Sequence, residues 1–278
     1  MSKPQRILMC PPEHFHVNYA INPWMKGNED QVSQTEAMAQ WQALKDLVAR
    51  FARVELIEPK PGVPDMVFTA NAGTVCGDRV VVSRFAHKER QPEEPHFEAW
   101  FREQGFKVFT LPEEVKYEGA GDSLFDRGGD WLWAGEGFRT DAASWEYLRD
   151  HLEVDLAPLT LVDERFYHID TCMCPLSGGW LLYYPDAYDV ASNELIKERV
   201  PAERRIRVTE QEAADFSCNA INIGDQVIMH HCSDRLRGAL EEAGFAVHTT
   251  PLTEFIKAGG SAKCLSLKLE EPEPIAAS

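Results

Sequence analysis

The chain has 278 residues, 44% apolar and 26% charged, and 28 Lys and Arg against 45 Asp and Glu give a net charge of −17. These proportions suit a globular protein whose core needs no disulfide staples, and they exclude a collagen-like or disordered chain. The negative field repels polyanions and so argues against nucleic acid, favouring small cationic ligands, and no apolar run approaches the ~18 residues of a membrane span.

The first residues, Met1 to Arg6, lead into a short apolar stretch before Pro11 and Pro12. They lack the apolar core and cleavage site of a secretory leader, so the expected compartment is the cytoplasm. Ser33 to Phe51 places Ala37, Trp41, Leu44, Leu47 and Val48 near helical period, and Ser33 with Glu36 predicts a capping box. A strand follows at Val54 to Pro59. Pro64 to Gly73 is a polar cluster carrying Asp65, Phe68 and Asn71, read either as turn chemistry or as part of a site. Gly73 to Val82 is strand, tight turn, strand. A helix is predicted over Pro95 to Gln104 and a strand over Phe106 to Pro112. Tyr117 to Asp122 offers the Glu118 carboxylate beside small residues that permit close backbone approach, or else a glycine turn with a solvated acid.

The same succession continues. Asp130 to Gly137 shows part of a strand pair, Ala142 to Leu152 a helix, and Val154 to Pro158 a strand. In His168-Ile169-Asp170 a strand would put both polar side chains on one face, as a base with its orienting acid or as a satisfied surface pair. A hairpin over Cys174 to Tyr184, a helix over Ala187 to Val200 and a strand over Arg205 to Thr209 follow. Ala220 to Met229, Ser233 to Ala243 and Phe245 to Pro251 repeat that order. Taking Val54, Val108, Val154, Ile206 and Val247 as markers, the steps are 54, 46, 52 and 41 residues. A period near fifty predicts an α/β repeat of ββαβ units, about five of them closing into a five-bladed ring with polar strand ends around a central channel. A two-halved α/β sandwich is the alternative fold. No linker divides the chain, so residues 1–278 are expected to form a single domain. Near the end, Gly259-Gly260 runs toward an apolar strand that Cys264 is expected to open.

Seven scattered cysteines, Cys10, Cys76, Cys172, Cys174, Cys218, Cys232 and Cys264, read as free thiols. A buried structural role is the default for each, and Cys264 is the candidate nucleophile because it follows a flexible glycine loop. His14-x-His16, His230-His231-Cys232 and Cys172-x-Cys174 fail zinc spacing, so neither metal nor cofactor is expected.

Phe-Thr-Ala-Asn at 68–71, Glu-Gly-Ala-Gly-Asp at 118–122, Arg-Thr at 139–140, His-x-Asp at 168–170 and a late Cys264 after Gly-Gly occur in one order. This set resembles the guanidine-modifying pentein superfamily of arginine deiminases, dimethylarginine dimethylaminohydrolases and amidinotransferases, over Ile7 to Leu269. The resemblance implies the five-bladed pseudo-symmetric ββαβ propeller. It implies Cys264 as nucleophile, His168 as general acid and base, and Glu118 and Asp170 as carboxylates that bind guanidinium. Arg90 and Arg139 match residues holding a substrate α-carboxylate, Asp65 one near the α-ammonium, and Phe68 lies in the same substrate-binding stretch. Asn22 belongs to a segment, Asn18 to Met25, expected to close over the site; Tyr19, Trp24 and Phe68 are candidates for the lid. Superfamily members often pair, so a homo-oligomer is an expectation.

Asn71 stands where deiminases and dimethylaminohydrolases have Asp. With Asn22, it resembles the arginine dihydrolase branch, which removes both terminal nitrogens to give ornithine, carbon dioxide and ammonia. Cyanobacterial members of that branch carry a second, C-terminal domain, and the 14 residues after Cys264 leave none expected here. The expected ligand is therefore a small cationic amino acid, arginine. Stopping at citrulline, as an arginine deiminase or as a dimethylarginine dimethylaminohydrolase acting on methylated arginine, or binding arginine without turnover, are the alternatives. Arg139 is expected to act at the surface, so that its loss weakens capture more than folding. The tail from Glu270 to Ser278, rich in Glu, Pro and Ala, is expected to fray.

Overall fold

The computed structural model describes residues 5–272. Strand β1 (Arg6–Met9) leads through a long coil to helix α1 (Gln34–Val48), and β2 (Arg53–Leu56) returns parallel to β1. Parallel neighbours need such a crossover, and the helix supplies it. The next unit adds one strand: β3 (Gly73–Cys76) and β4 (Arg79–Val82) form a hairpin, α2 (Glu94–Glu103) crosses over, and β5 (Lys107–Phe109) pairs parallel with β4. The third repeats it with β6 (Ser123–Phe125), β7 (Trp131–Glu136), α3 (Ser144–Leu152) and β8 (Asp155–Thr160). The fourth comprises β9 (Met173–Leu176), β10 (Trp180–Tyr183), α4 (Val190–Arg199) and β11 (Arg205–Arg207). A short helix α5 (Glu210–Ala214) precedes the fifth: β12 (Ile221–Ile223), β13 (Gln226–Met229), α6 (Asp234–Glu242) and β14 (Ala246–Thr249). After α7 (Thr253–Ile256), the short β15 (Leu267–Lys268) pairs antiparallel with β1.

The result is five three-stranded sheets, each built on one antiparallel and one parallel pair. The first sheet, β15-β1-β2, is assembled from both ends of the chain, so the missing first strand of the N-terminal unit comes from β15 near the C-terminal end of the described residues. The pentein propeller is the observed fold, and the sandwich of two halves is not. Apolar clusters join each sheet to the next. Leu8 and Leu267 pack with Val80, and Val81 packs with Leu132. Trp133 packs with Leu181 and Val227, and Ile228 packs back on Ile7. Each helix covers its own sheet with one stripe; in α1 this is Ala37, Trp41, Leu44 and Val48.

Three local expectations are corrected. The strand pair read only in part around Asp130 is completed by β6, three residues hidden directly behind the Gly119–Gly121 turn. The capping box is half made: Ser33 Oγ accepts from the Glu36 N–H at 3.4 Å, whereas the Ser33 N–H donates to Glu254 Oε2 at 2.7 Å. The tail is held at its start, because Arg127 bonds both carboxylate oxygens of Glu271, at 2.5 and 2.6 Å. Residues 273–278 lie outside the described residues. Among those described, no helix is long and apolar enough to cross a membrane.

Candidate active site

The repeat explains how distant residues meet. Before its first strand each unit makes a tight turn, and the turns before β3, β6 and β9 pack against one another. Glu118 and His168 each stand five residues ahead of a first strand, β6 and β9. Asp170 and Cys264 each stand three ahead, of β9 and β15, and Asn71 and Asn219 two ahead, of β3 and β12. Equivalent positions of successive blades thus converge on one end of the ring.

Asn22, Asp65, Phe68, Asn71, Arg90, Arg139, His168 and Cys264 line a single narrow cavity together with Ile21, Met25 and Tyr167. A larger groove between α4 and β11, lined by Tyr183, Asn193 and Arg205, contains none of them. Glu118 and Asp170 stand one contact behind the cavity wall. Glu118 Oε2 accepts from His168 Nε2 at 2.8 Å and from Arg139 Nη1 at 3.0 Å, and Oε1 accepts from the Ala86 N–H at 3.2 Å. The Cys264 Sγ lies 3.6 and 3.8 Å from the Asp170 oxygens.

The geometry differs from the sequence reading at three points. His168 is extended (φ −129°, ψ 151°) and caps the single turn Ile169–Thr171, so His168 and Asp170 do not share a strand face. Their side chains part, one toward Glu118 and the other toward Cys264. Cys264 lies in a turn over 262–265, ahead of β15 rather than opening it. Arg139 is 4% exposed and is no surface residue. It pairs with Glu118, donates to the Ile21 carbonyl at 2.9 Å and lies over the Tyr167 ring at 4.7 Å.

Charges here are set by burial against partners. Burial raises Glu118, but Arg139 and the His168 bond outweigh it and hold the carboxyl well below the usual range. Burial lowers His168 to about 4, against the raising effect of Glu118. The pair is therefore a neutral imidazole donating Nε2–H to an anion, a charge-assisted hydrogen bond rather than an ion pair. Burial raises Asp170 to about 6, tempered by Lys263. Burial, then Asp170, pushes the Cys264 thiol far up, so the resting sulfur is protonated. Burial also raises Asp65, whose Oδ2 accepts from the Tyr19 hydroxyl at 2.8 Å while the buried Oδ1 has no partner. That oxygen is matched to a cationic donor entering the cavity.

Arg90 is committed to Glu93 by two bonds of 2.8 Å and donates to Asn71 Oδ1 at 2.9 Å and to the Asp65 carbonyl at 3.2 Å. One N–H of Nη1 is left for a ligand. Asn71 Nδ2 donates to the Glu118 carbonyl at 2.9 Å, so its amide is already fixed at both ends. A Cβ on Gly121 would stand 2.5 Å from Asn71 Nδ2 and 3.1 Å from His168 Nδ1, so only glycine admits this packing.

Sequence reasoning missed Asn219. This buried amide accepts from the backbone N–H groups of Ser261 and Cys264, each at 3.1 Å, and donates to the Asp170 carbonyl at 2.9 Å and to Cys264 Sγ at 3.1 Å. It builds the sulfur's loop and supplies the sulfur with a neutral donor. Its place ahead of β12, matching that of Asn71 ahead of β3, was the signal available.

The family model for N,N-dimethylarginine dimethylhydrolase, eukaryotic, matches residues 11–270. The chain is 57% identical over 267 residues to the bifunctional arginine dihydrolase/ornithine cyclodeaminase ArgZ of Synechocystis sp., covering 96% of this chain and 38% of that protein. It thus spans well under half the length of that relative. It is 37% identical to the N(G),N(G)-dimethylarginine dimethylaminohydrolase of Mycobacterium tuberculosis, over 95% of this chain and 86% of that one. Among solved structures, the N-terminal domain of ArgZ, an arginine dihydrolase, as its C264S mutant bound to substrate, superposes with a TM-score of 0.96 at 56% identity, covering 96% of this chain and 99% of that one.

Proposed function

The chain belongs to the N,N-dimethylarginine dimethylhydrolase family, and from that premise we propose that residues 1–278, as a single catalytic domain, hydrolyse free arginine to ornithine, carbon dioxide and two molecules of ammonia. What carries the reading is one buried cavity that combines a thiol and an imidazole with groups for both ends of an amino acid, and with Asn71 in place of an acid. The unpartnered Asp65 oxygen suits an α-ammonium, and Arg90 and Arg139 suit an α-carboxylate. Glu118 and Asp170 suit the planar, cationic guanidinium.

In the first round the Cys264 thiol gives its proton to the neutral His168 as the cationic substrate arrives, and the sulfur bonds to the guanidinium carbon. His168 delivers a proton to the departing ammonia, then takes one from the water that displaces sulfur and leaves a ureido group. In the second round a further water replaces the other terminal nitrogen, a second ammonia leaves, and the resulting carbamate breaks into carbon dioxide and ornithine. The intermediate is neutral, and an amide at position 71 faces it without the charge mismatch an Asp would create.

The test is incubation of the purified chain with arginine and quantitation of ammonia, citrulline and ornithine. Ornithine with about two ammonia per arginine is the outcome expected from this stoichiometry, and Cys264→Ser should abolish both. Citrulline as the end product would place the chain with the single-step hydrolases, and binding without turnover would refute the enzyme reading.

A further inference from the structure

Residues 10–33, between β1 and α1, contain no helix or strand, yet Ile21, Asn22 and Met25 form one wall of the cavity. Side chains hold this strap in place. Tyr19 bonds Asp65, Arg139 bonds the Ile21 carbonyl, and Asn22 Nδ2 donates to the Ala258 carbonyl at 3.0 Å. Each of the first two joins the strap to a group proposed to meet substrate, so those bonds respond to what the cavity holds.

Trp24 is different, because it does not line the cavity. Its Nε1 donates to the Arg165 carbonyl at 2.7 Å, three residues before His168. Its ring meets Phe216 edge-on, centroids 4.7 Å apart, three residues before Asn219. Phe216 is held at φ +56°, a conformation that costs energy in a non-glycine residue and persists only when its surroundings enforce it. Trp24 therefore ties the strap to the two segments that carry the imidazole and the sulfur's amide, through a backbone carbonyl and a ring that a ligand in the cavity leaves untouched.

We propose that Trp24 is the latch that decides product specificity: it keeps the cavity shut between the two hydrolyses, so that the ureido intermediate is consumed rather than released. This rests on the two-step reading above. The physical need is clear from charge. Arginine is held by its guanidinium against Glu118 and Asp170, whereas the ureido group has lost that positive charge and its attraction to both. The α-ammonium and α-carboxylate contacts remain, but the loss of the guanidinium contacts weakens the hold, and Trp24 supplies strap contacts, to the Arg165 carbonyl and the Phe216 ring, that are indifferent to substrate charge.

The experiment follows free citrulline and ornithine over time from the full chain, from Trp24→Phe, which keeps a ring but loses the N–H, and from Trp24→Ala. Citrulline released per ornithine should rise about tenfold in Trp24→Phe, the scale of one lost hydrogen bond, and further in Trp24→Ala. The rate of arginine consumption should fall far less. A purely structural role would instead lower consumption and thermal stability together with no citrulline set free. Trp24→Phe guards against misfolding of the alanine variant. If the unsubstituted chain forms ornithine and both folded variants release no more citrulline than it does, the latch is refuted while the two-step reading stands. If the unsubstituted chain stops at citrulline, both fall.

Discussion

Asp170 is fully buried in the turn before β9, with the Cys264 sulfur on one side and Lys263 nearby, and burial raises its carboxyl to about 6. The unfolded chain ionises this group near ~3.9. Between those values the folded protein holds a proton that the unfolded chain has released, so this residue favours folding as pH falls from about 6 toward 4. Above pH 6 both states are ionised and the buried anion costs about 3 kcal/mol, reading the shift through linkage. Asp170→Asn should therefore raise the melting temperature at pH 7 while sharply reducing arginine turnover. In the parent chain kcat/KM should climb as pH passes about 6. Thermal melts of the two proteins from pH 4 to 8, beside a pH–rate profile, check both points. A melting temperature unchanged or lowered by Asp170→Asn would contradict the burial account. Stability given up at a site that needs a charge is a common exchange in enzymes.

At the scale of elements, the helices and outer strands were legible because their periodicities are strong. Trp41 and Leu44 in α1, and the hairpin around Gly178-Gly179, announce themselves in sequence, and both those glycines take φ +75° as a tight hairpin turn asks. The turns that carry the chemistry were legible only as polar clusters. His168-Ile169-Asp170 alternates as a strand does, yet it folds as one tight turn, because the Thr171 hydroxyl donates to the His168 carbonyl and the Ile169 N–H donates to Asp122 Oδ1. The Thr171 bond is local, but Asp122, 47 residues away, is not visible from local spacing. Cys264 reads as the opening of a strand because the apolar run after it is real, but its turn is made by Asn219, from a different blade. Arg139 looked like a surface residue because nothing in Gly137-Phe138-Arg139 shows that Glu118 and Ile21 will cover it. Its removal would leave Glu118 buried beside a neutral His168, a loss of the kind that costs about 3–5 kcal/mol, so folding and capture should suffer together.

The whole molecule is a ring closed by its own two ends, and the closure is functional as well as structural. The strand that completes the first sheet begins three residues after Cys264, so pairing β15 with β1 also seats the sulfur. Repetition then does the rest: residues in equivalent positions of different blades, far apart in sequence, reach the same cavity. The net charge of −17 works at this scale too, drawing a cationic ligand such as the proposed arginine toward a cavity with Asp65 in its wall and Glu118 and Asp170 just behind it. Raising salt from about 10 to 150 mM shortens the reach of that field several-fold and should lower kcat/KM for arginine while leaving kcat unchanged. A kcat/KM indifferent to salt would mean that the surface charge serves solubility alone.

The covalent route through Cys264 is tested by rapid acid quench of the chain turning over arginine, followed by mass analysis of the peptide containing Cys264. The expected result is an adduct on Cys264 that carries the substrate's carbon skeleton, appears before steady state and is absent from Cys264→Ser, which forms no ornithine. Ornithine released at full rate with the Cys264 peptide unmodified, or by the Cys264→Ser protein, would contradict it.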